Sequence, residues 1–467
     1  MSDGRVIVVG GGLAGIAAAL DCADAGAEVT LVEVRPRLGG AVYSVARDGL
    51  QMDNGQHVFM RCCEGYRGLL SRLGSSSRVR VQERLRVPVL RPGHAPAVVQ
   101  RNSLPAPAHL AWTIARYRHL PLRSRALAAR AMLALMRLDP GAGAGGSHEL
   151  DREAFGEWLE RHGQSRESVR LLWDLIALPT LNLPAAEASL ELAAFVFRTA
   201  LLTSTDAGDI GFHEDTLAAT IEAPAEQTLA RAGVRVQLGW RARGLARGAG
   251  GFELQGSSGP DDREDAAGLS AEAVIVALPH DRAAGLLAPL LGGAVERWRE
   301  LAGSPIVNLH VVYDREVLDE PFAAGIDTPV QYLFDRTRAA GAPPGTQYLA
   351  ISLSGAQQEM KLSVDELRER YVPALSQLLP RARQARVESF LVTREHAATF
   401  RGVPGSATLR PAGATAIEGL ALAGSWTATG WPATLESAVL SGHTAARTVL
   451  GYLRGGAPRP AQALARG

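Results

Sequence analysis

The chain has 467 residues, 46% of them hydrophobic and 21% charged, with a formal net charge of +1. That is enough apolar chain for a large core in two or more domains, and the balanced charge excludes a global field aimed at nucleic acid. Three cysteines, Cys22, Cys62 and Cys63, make no disulfide framework and no apolar run reaches about 18 residues, so a reducing, cytoplasmic setting without a membrane-spanning helix is expected.

Hydrophobic period predicts a strand over Arg5–Val9, a helix over Leu13–Ala25 and a strand over Glu28–Val34. The apolar start Val6–Leu20 lacks the basic flank of a secretion signal. Its glycines serve another purpose. In Gly10-Gly11-Gly12-Leu13-Ala14-Gly15, Gly10 permits a tight turn, Gly12 lets the backbone approach a pyrophosphate, and Gly15 lets helix pack on strand. Phosphates would then sit on the unpaired N–H groups of the helix N-terminus, around Leu13 and Ala14. Glu33 closes the second strand, where a carboxylate can accept both hydroxyls of an adenosine ribose. Strand, turn, helix and acid in register predict a dinucleotide site.

The next residues, Arg35-Pro36-Arg37-Leu38-Gly39-Gly40, favour FAD over NAD. Gly39 and Gly40 let the backbone run close under the cofactor, and Arg37, with Arg35 beside it, can neutralise phosphates. The loop Met52-Asp53-Asn54-Gly55-Gln56-His57 follows closely and should pass the flavin ring, with Gly55, Gln56 and His57 against it. Asp53 and His57 are the candidate proton donors. Each also has a structural use, His57 holding the loop and Asp53 capping a turn.

From Glu64 to about Leu217 the chain reads as mostly helical, broken at Pro105, Pro107, Pro121 and Pro140. Pro140–Ser147 reads as a flexible connector. Within Arg101–Asp139 lie seven arginines, no lysine or glutamate, and one acid, Asp139. Arg116, Arg123, Arg130 and Arg137 recur every seven residues, the last three beside Leu122, Leu127, Met132, Leu133 and Met136. Such a helix can lie in the headgroup layer with its arginines towards anionic lipid, or simply face water. Cys62-Cys63 reads as a buried pair, and His213-Glu214-Asp215 as loop rather than metal site.

Short strands are expected at Val234–Leu238, Phe252–Leu254 and Val274–Leu278, and the alternating run Ile306–Tyr313 is expected to pair with Gln347–Ser354. Ser257–Gly268 and Gly455–Gly467 read as loop and tail. Near the far end, Gly419–Gly424 reads as a strand ending in glycine. The segment Thr429-Gly430-Trp431-Pro432-Ala433-Thr434-Leu435-Glu436 then opens a helix running to about Leu453, with Pro432 in its first turn. That helix N-terminus, from Pro432 through Ala433 and Thr434 to Leu435, would offer amides to the electron-rich flavin pyrimidine. Trp426 and Trp431 flank the segment as pocket walls or core.

These motifs resemble the flavin-containing amine oxidase and phytoene desaturase superfamily over essentially the whole chain. The carriers are GGGLAG, ExRPRLGG, Gly233–Leu245, Ala271–His280 and Gly424–Gly442. The resemblance implies that Val236 bonds the adenine through its backbone and that Leu278-Pro279 forms a turn near the cofactor. It also implies that Gly424 and Ser425 meet the pyrophosphate or ribityl chain. Two departures touch single contacts, Ser425 where many members carry an acid and Ala41 where they carry an arginine.

Within the superfamily, Met52–Phe59, Leu178–Pro184, Ser304–His310 and Thr429–Ser437 resemble the hydroxysqualene dehydroxylases. Those enzymes belong to hopanoid biosynthesis and replace an allylic hydroxyl with hydride from reduced flavin. An apolar pocket follows for such a substrate. The resemblance thus implies an isoprenoid lipid substrate and FAD; with no cysteine near Trp426 the FAD is expected to be non-covalent, and neither a metal nor nucleic acid is expected from the residues. An anionic membrane surface and neighbouring squalene-pathway enzymes are the expected partners. The rivals are a carotenoid-type desaturase or amine oxidase, and a non-catalytic flavoprotein partner of prenyl-transferring enzymes. The expected fold is α/β and amine-oxidase-like. A discontinuous Rossmann-like FAD-binding domain (1–63, 215–288 and 405–455) would join a mixed sheet-and-helix substrate domain (64–214 and 289–404) carrying the Arg-rich segment 101–139.

Overall fold

Val6-Ile7-Val8-Val9 is apolar on both faces of a strand, a pattern that suits the interior of a covered parallel sheet. In the structure, a computed structural model describing residues 4–141, 148–248, 250–258 and 266–455, Arg5–Val9 is the middle strand of five. The spatial order is Arg235–Leu238, Glu28–Glu33, Arg5–Val9, Ala273–Val276 and Leu420–Leu422, all parallel. Val8 registers with Leu31 on one side and Ile275 on the other. Stretches far apart in the chain therefore share one sheet. The helices Leu13–Asp24 and Leu435–Leu453 pack together beside it. Their close approach depends on Gly442, where a Cβ would lie 2.3 Å from the Ala14 carbonyl oxygen.

A second, mixed sheet of seven strands runs in the order Val387–Phe400, Gly303–Tyr313, Gln347–Ser354, Tyr332–Asp335, Phe322–Gly325, Arg86–Leu90 and Ala97–Gln100. Ile306–Tyr313 pairs antiparallel with Gln347–Ser354, Ile306 opposite Ser354 and Tyr313 opposite Gln347. Alternation places Val307, Leu309 and Val311 in one buried cluster, while Asn308 and His310 are buried as well. A bundle of short helices between Phe155 and Leu202 fills a third region around Phe155, Trp158, Trp173 and Phe197.

The structure departs from the sequence reading in four places. The stretch Glu64–Leu217 holds four strands, too short to show a period: Val79–Val81 pairs with the distant Ile210–His213, while Arg86–Leu90 pairs with the nearby Ala97–Gln100 and with Phe322–Gly325. Ser257–Gly268 is not all loop. Strands Gly251–Ser258 and Ala266–Ala271 pair with each other, and the first pairs with Trp240–Gly248. Gly256 makes room there for the Trp240 ring, whose Cη2 would lie 2.2 Å from an added Cβ. The C-terminal helix starts at Leu435, with Thr434 as its cap, so Pro432 precedes the helix instead of sitting in its first turn. His213 ends a strand rather than lying in a loop. The connector at 142–147, the loop at 259–265 and the tail beyond 455 lie outside the described residues.

Candidate cofactor-binding and active site

Backbone conformation explains the glycines of the first turn. Gly10 has φ +113°, and a Cβ on it would lie 2.4 Å from the Ala277 carbonyl oxygen. A Cβ on Gly15 would lie 1.8 Å from the Gly10 oxygen, so the helix could not sit this close to the strand with any larger residue. Gly12 caps the helix, and the first intrahelical bond runs from Ile16 N–H to Gly12 O. The amides of Leu13, Ala14 and Gly15 thus have no acceptor within the helix and face an anion-binding position. Glu33 is buried and accepts from Gly11 N–H at 2.7 Å and Arg35 N–H at 2.8 Å, which fixes its carboxylate beside the turn.

The Gly39-Gly40 pair comes back against this turn. Gly39 N–H donates to Gly11 O, and a Cβ on Gly40 would lie 2.8 Å from Gly12 Cα. Backbone thus meets backbone, leaving a cradle that side chains would fill. Such a cradle, with free amides and a carboxylate at its end, fits the pyrophosphate and ribose of a dinucleotide. Arg35 and Arg37 both donate to the Gly40 carbonyl, and the Arg37 guanidinium lies 3.8 Å from the Tyr43 ring centre. Burial, and then the neighbouring Arg35, hold the Arg37 pKa below its ordinary value. Ala41 is exposed beyond them. Val236 is half-buried on the outermost strand of the sheet, paired with Leu31, so the strand's other edge is open.

The C-terminal segment follows the edge strand Leu420–Leu422, which pairs with Ala273–Val276. Gly424 has φ +141°, and its N–H donates to Ser441 Oγ, while half-buried Ser425 accepts from Ser437 Oγ through its carbonyl. Buried Trp426 donates from Nε1 to the Leu278 carbonyl, tying this segment to the Leu278-Pro279 turn. Trp431 packs edge-on against Phe195. Thr434 Oγ1 accepts from Ser437 N–H, so the amides of Leu435 and Glu436 stay without an intrahelical acceptor. The Glu436 carboxylate in turn accepts from Gly65 and Tyr66 N–H, capping the helix Glu64–Arg72.

One residue central to this side carries no sequence signal. The Arg410 guanidinium is almost wholly buried and donates to the carbonyls of Thr427 (2.6 Å), Trp431 (2.7 Å), Ser425 (3.3 Å) and Trp426 (3.4 Å). Four backbone dipoles, not a bonded carboxylate, compensate the charge, and burial pushes its pKa down to about 10. It fixes the shape of the loop that leads into the C-terminal helix.

The loop after the cradle is braced from several directions. Asn54 Nδ2 donates to Ala41 O and to Glu395 Oε1, which also receives Tyr43 O–H. Asn54 has no role assigned from sequence beyond being a polar loop residue, and Glu395 carries no signal, since the two meet only through the fold. Asp53 is buried and accepts from Ser44 Oγ (2.7 Å), Leu217 N–H (2.9 Å) and Arg336 (2.9 Å). These contacts tie Asp53 into the scaffold of the loop, paired with Arg336, while it also lines the neighbouring cavity. His57 is half-buried, its Nδ1 donating to the Gly55 carbonyl at 3.1 Å, which leaves Nε2 as the acceptor of a neutral ring. Burial holds its pKa below the ordinary histidine value.

Gln56, His57 and Val58 border a cavity of about 510 Å³ walled by Phe212, Phe322 and Phe334. Its lining is not purely apolar, as a hydrocarbon substrate led us to expect. Arg80 with Glu214, and Arg336 with Asp53, contribute paired charges. Gln56 Nε2 and Asn308 Oδ1 are buried without a hydrogen-bond partner, and a Cβ on the intervening Gly55 would lie 3.3 Å from Asn308 Nδ2. No group of three or more His, Cys, Asp or Glu placed to hold a metal occurs among the described residues. The structure therefore brings the two glycine segments and Glu33 into one cradle. It ties the segment before the C-terminal helix, through Trp426, to Leu278, which lies next to Gly10.

A family profile described as flavin containing amine oxidoreductase matches residues 13–450. A zeta-carotene desaturase of Zea mays is 25% identical over 96% of this chain and 83% of its own length. A hydroxysqualene dehydroxylase of Sinorhizobium fredii is 28% identical over 96% of this chain and 98% of its own. Among solved structures, the cyclohexylamine oxidase of Brevibacterium oxydans superposes with a TM-score of 0.72 at 19% identity, covering 97% of this chain and all of that one. The overall fold is thus amine-oxidase-like α/β, and the two lipid enzymes lie at similar distance.

Proposed function

The chain belongs to the flavin containing amine oxidoreductase family, and on that premise we propose that it binds FAD non-covalently and reductively dehydroxylates an isoprenoid allylic alcohol of the hydroxysqualene type, giving squalene. The supporting observation is the loop Asp53–Phe59. Through Asn54 it is joined to the glycine cradle, and through His57 it reaches the aromatic-walled cavity. The full-length similarity to a hydroxysqualene dehydroxylase supports the same substrate class. No cysteine lies between residues 405 and 455, so that segment offers no thiol tether for a flavin.

Residue roles follow from this arrangement. The amides around Leu13 and Ala14 hold the pyrophosphate, Glu33 holds the ribose, and the amides at Leu435 and Glu436 favour negative charge nearby. Bound reduced FAD supplies hydride for an allylic carbon. His57, protonated at Nε2, gives its proton to the departing hydroxyl, which leaves as water. Asp53 and Arg336 hold the loop that carries His57. A desaturase reading is favoured by one feature, the lowered pKa of His57, since a neutral imidazole serves as a base.

Direction of hydride flow separates the two. Reduced protein should be reoxidised by hydroxysqualene, and oxidised protein should not be bleached by zeta-carotene, phytoene or simple amines. Anaerobic bleaching by a carotene would favour the desaturase.

A further inference from the structure

Seven large apolar side chains are strongly exposed among the described residues, and four of them lie close together in sequence: Leu104, Trp112, Leu122 and Leu133. Leu122 is 76% exposed. Between Arg101 and Leu138 there is no acidic residue. The helix Leu122–Leu135 turns Ala128, Ala131, Met132 and Leu135 inward. Spacings of three and four put Leu122, Ala126, Ala129 and Leu133 on one outward line, and Arg123 and Arg130 each follow one residue later on its flank. Arg137 extends that flank just past the helix end. Met132 thus belongs to the core and Leu127 and Met136 are only partly exposed, so the outward apolar set is smaller than the sequence pattern suggested.

Five of the seven arginines in Arg101–Asp139 are left without an ionic or carbonyl partner for the guanidinium among the described residues. Arg101 pairs with Asp209, and Arg125 is tied to the carbonyls of Leu120 and Ala115. Arg116 lies over the Trp112 ring at 3.9 Å. Arg116, Arg118, Arg123, Arg130 and Arg137 form no ion pair among the described residues.

We propose that this face docks on an anionic lipid bilayer, with Trp112, Leu122 and Leu133 in the headgroup–acyl boundary and the arginines among lipid phosphates. A second copy of the chain is a poor occupant, because a two-fold contact would set arginine against arginine. Nucleic acid has no use for an exposed leucine line between the arginines. The inference is independent of substrate, because binding is read without turnover.

Flotation of the FAD-loaded full chain with phosphatidylcholine vesicles, alone or containing phosphatidylglycerol, tests it. Binding should require the anionic lipid and fade as salt rises. Arg123→Gln, Arg130→Gln and Arg137→Gln together should lower partitioning roughly a hundredfold. Leu122→Ser with Leu133→Ser should lower it separately while leaving the flavin spectrum unchanged. The proposal fails if the wild type stays unbound with anionic vesicles, or if the arginine variant floats like the wild type. It also fails if light scattering shows a dimer that these substitutions dissociate.

Discussion

His57 and Asp53 lie on one loop four residues apart, and the proposed reaction gives them different tasks. His57 borders the cavity with Nε2 uncommitted, so His57→Ala should cost about 10²–10⁴-fold in turnover with FAD content intact. Its pKa lies below the ordinary value, so the acid form grows only as pH falls through that lowered pKa. A dehydroxylation rate limited by it should rise towards acid pH, and a rate that instead rises with pH would point to His57 acting as a base. Asp53→Asn leaves Arg336 buried without its counter-charge and should destabilise the fold by roughly 3–5 kcal/mol, read by denaturant melts. Arg410 presents another residue-scale case. Arg410→Met strips donors from the carbonyls of Ser425, Thr427 and Trp431 and should weaken FAD retention, measured by flavin fluorescence on dilution. Arg410→Lys should not restore it, since an ammonium cannot reproduce the planar fork. Retention unchanged in Arg410→Met would remove its positioning role.

Among the elements, the strand–glycine turn–helix and the acid at Glu33 were legible because each signal is local, within some 30 residues. The pairing of Ile306–Tyr313 with Gln347–Ser354 was legible from alternation alone. What stayed hidden depends on distance along the chain. Arg336 reaches Asp53 across 283 residues, Glu395 reaches Asn54 across 341, and the three-residue strand Val79–Val81 owes its state to a partner also distant in sequence, Ile210–His213. The packing of Leu13–Asp24 on Leu435–Leu453 offers a test at this scale. Gly442→Val should clash with the Ala14 carbonyl, costing roughly 1–3 kcal/mol and loosening the phosphate turn, so melting temperature and FAD affinity should fall together. Gly68→Ala, at an exposed position of the helix Glu64–Arg72 where a Cβ would meet nothing, is the control and should not destabilise.

For the whole molecule, buried neutral histidines set an acid limit. His213 is pushed down to about 3 and His310 to about 4, in both cases chiefly by burial. Unfolded, each would take up a proton near the ordinary value of 6.5, so the unfolded state binds more protons at any pH between these limits. Stability present above about pH 6.5 should therefore decline as pH falls towards 4 and below, by up to about 1.4 kcal/mol per pH unit for each histidine. His213→Gln, which can still bond Tyr66 O–H, should flatten the decline. Identical slopes in variant and wild type would rule out His213 as a source.

Whether a reduced flavin in this fold delivers hydride to an allylic alcohol is decided by one anaerobic measurement. FAD-loaded protein is photoreduced and mixed with hydroxysqualene, and flavin absorbance and squalene are followed together. Reoxidation with an equimolar yield of squalene is expected. Flavin that stays reduced, or that reoxidises without squalene, would contradict that delivery.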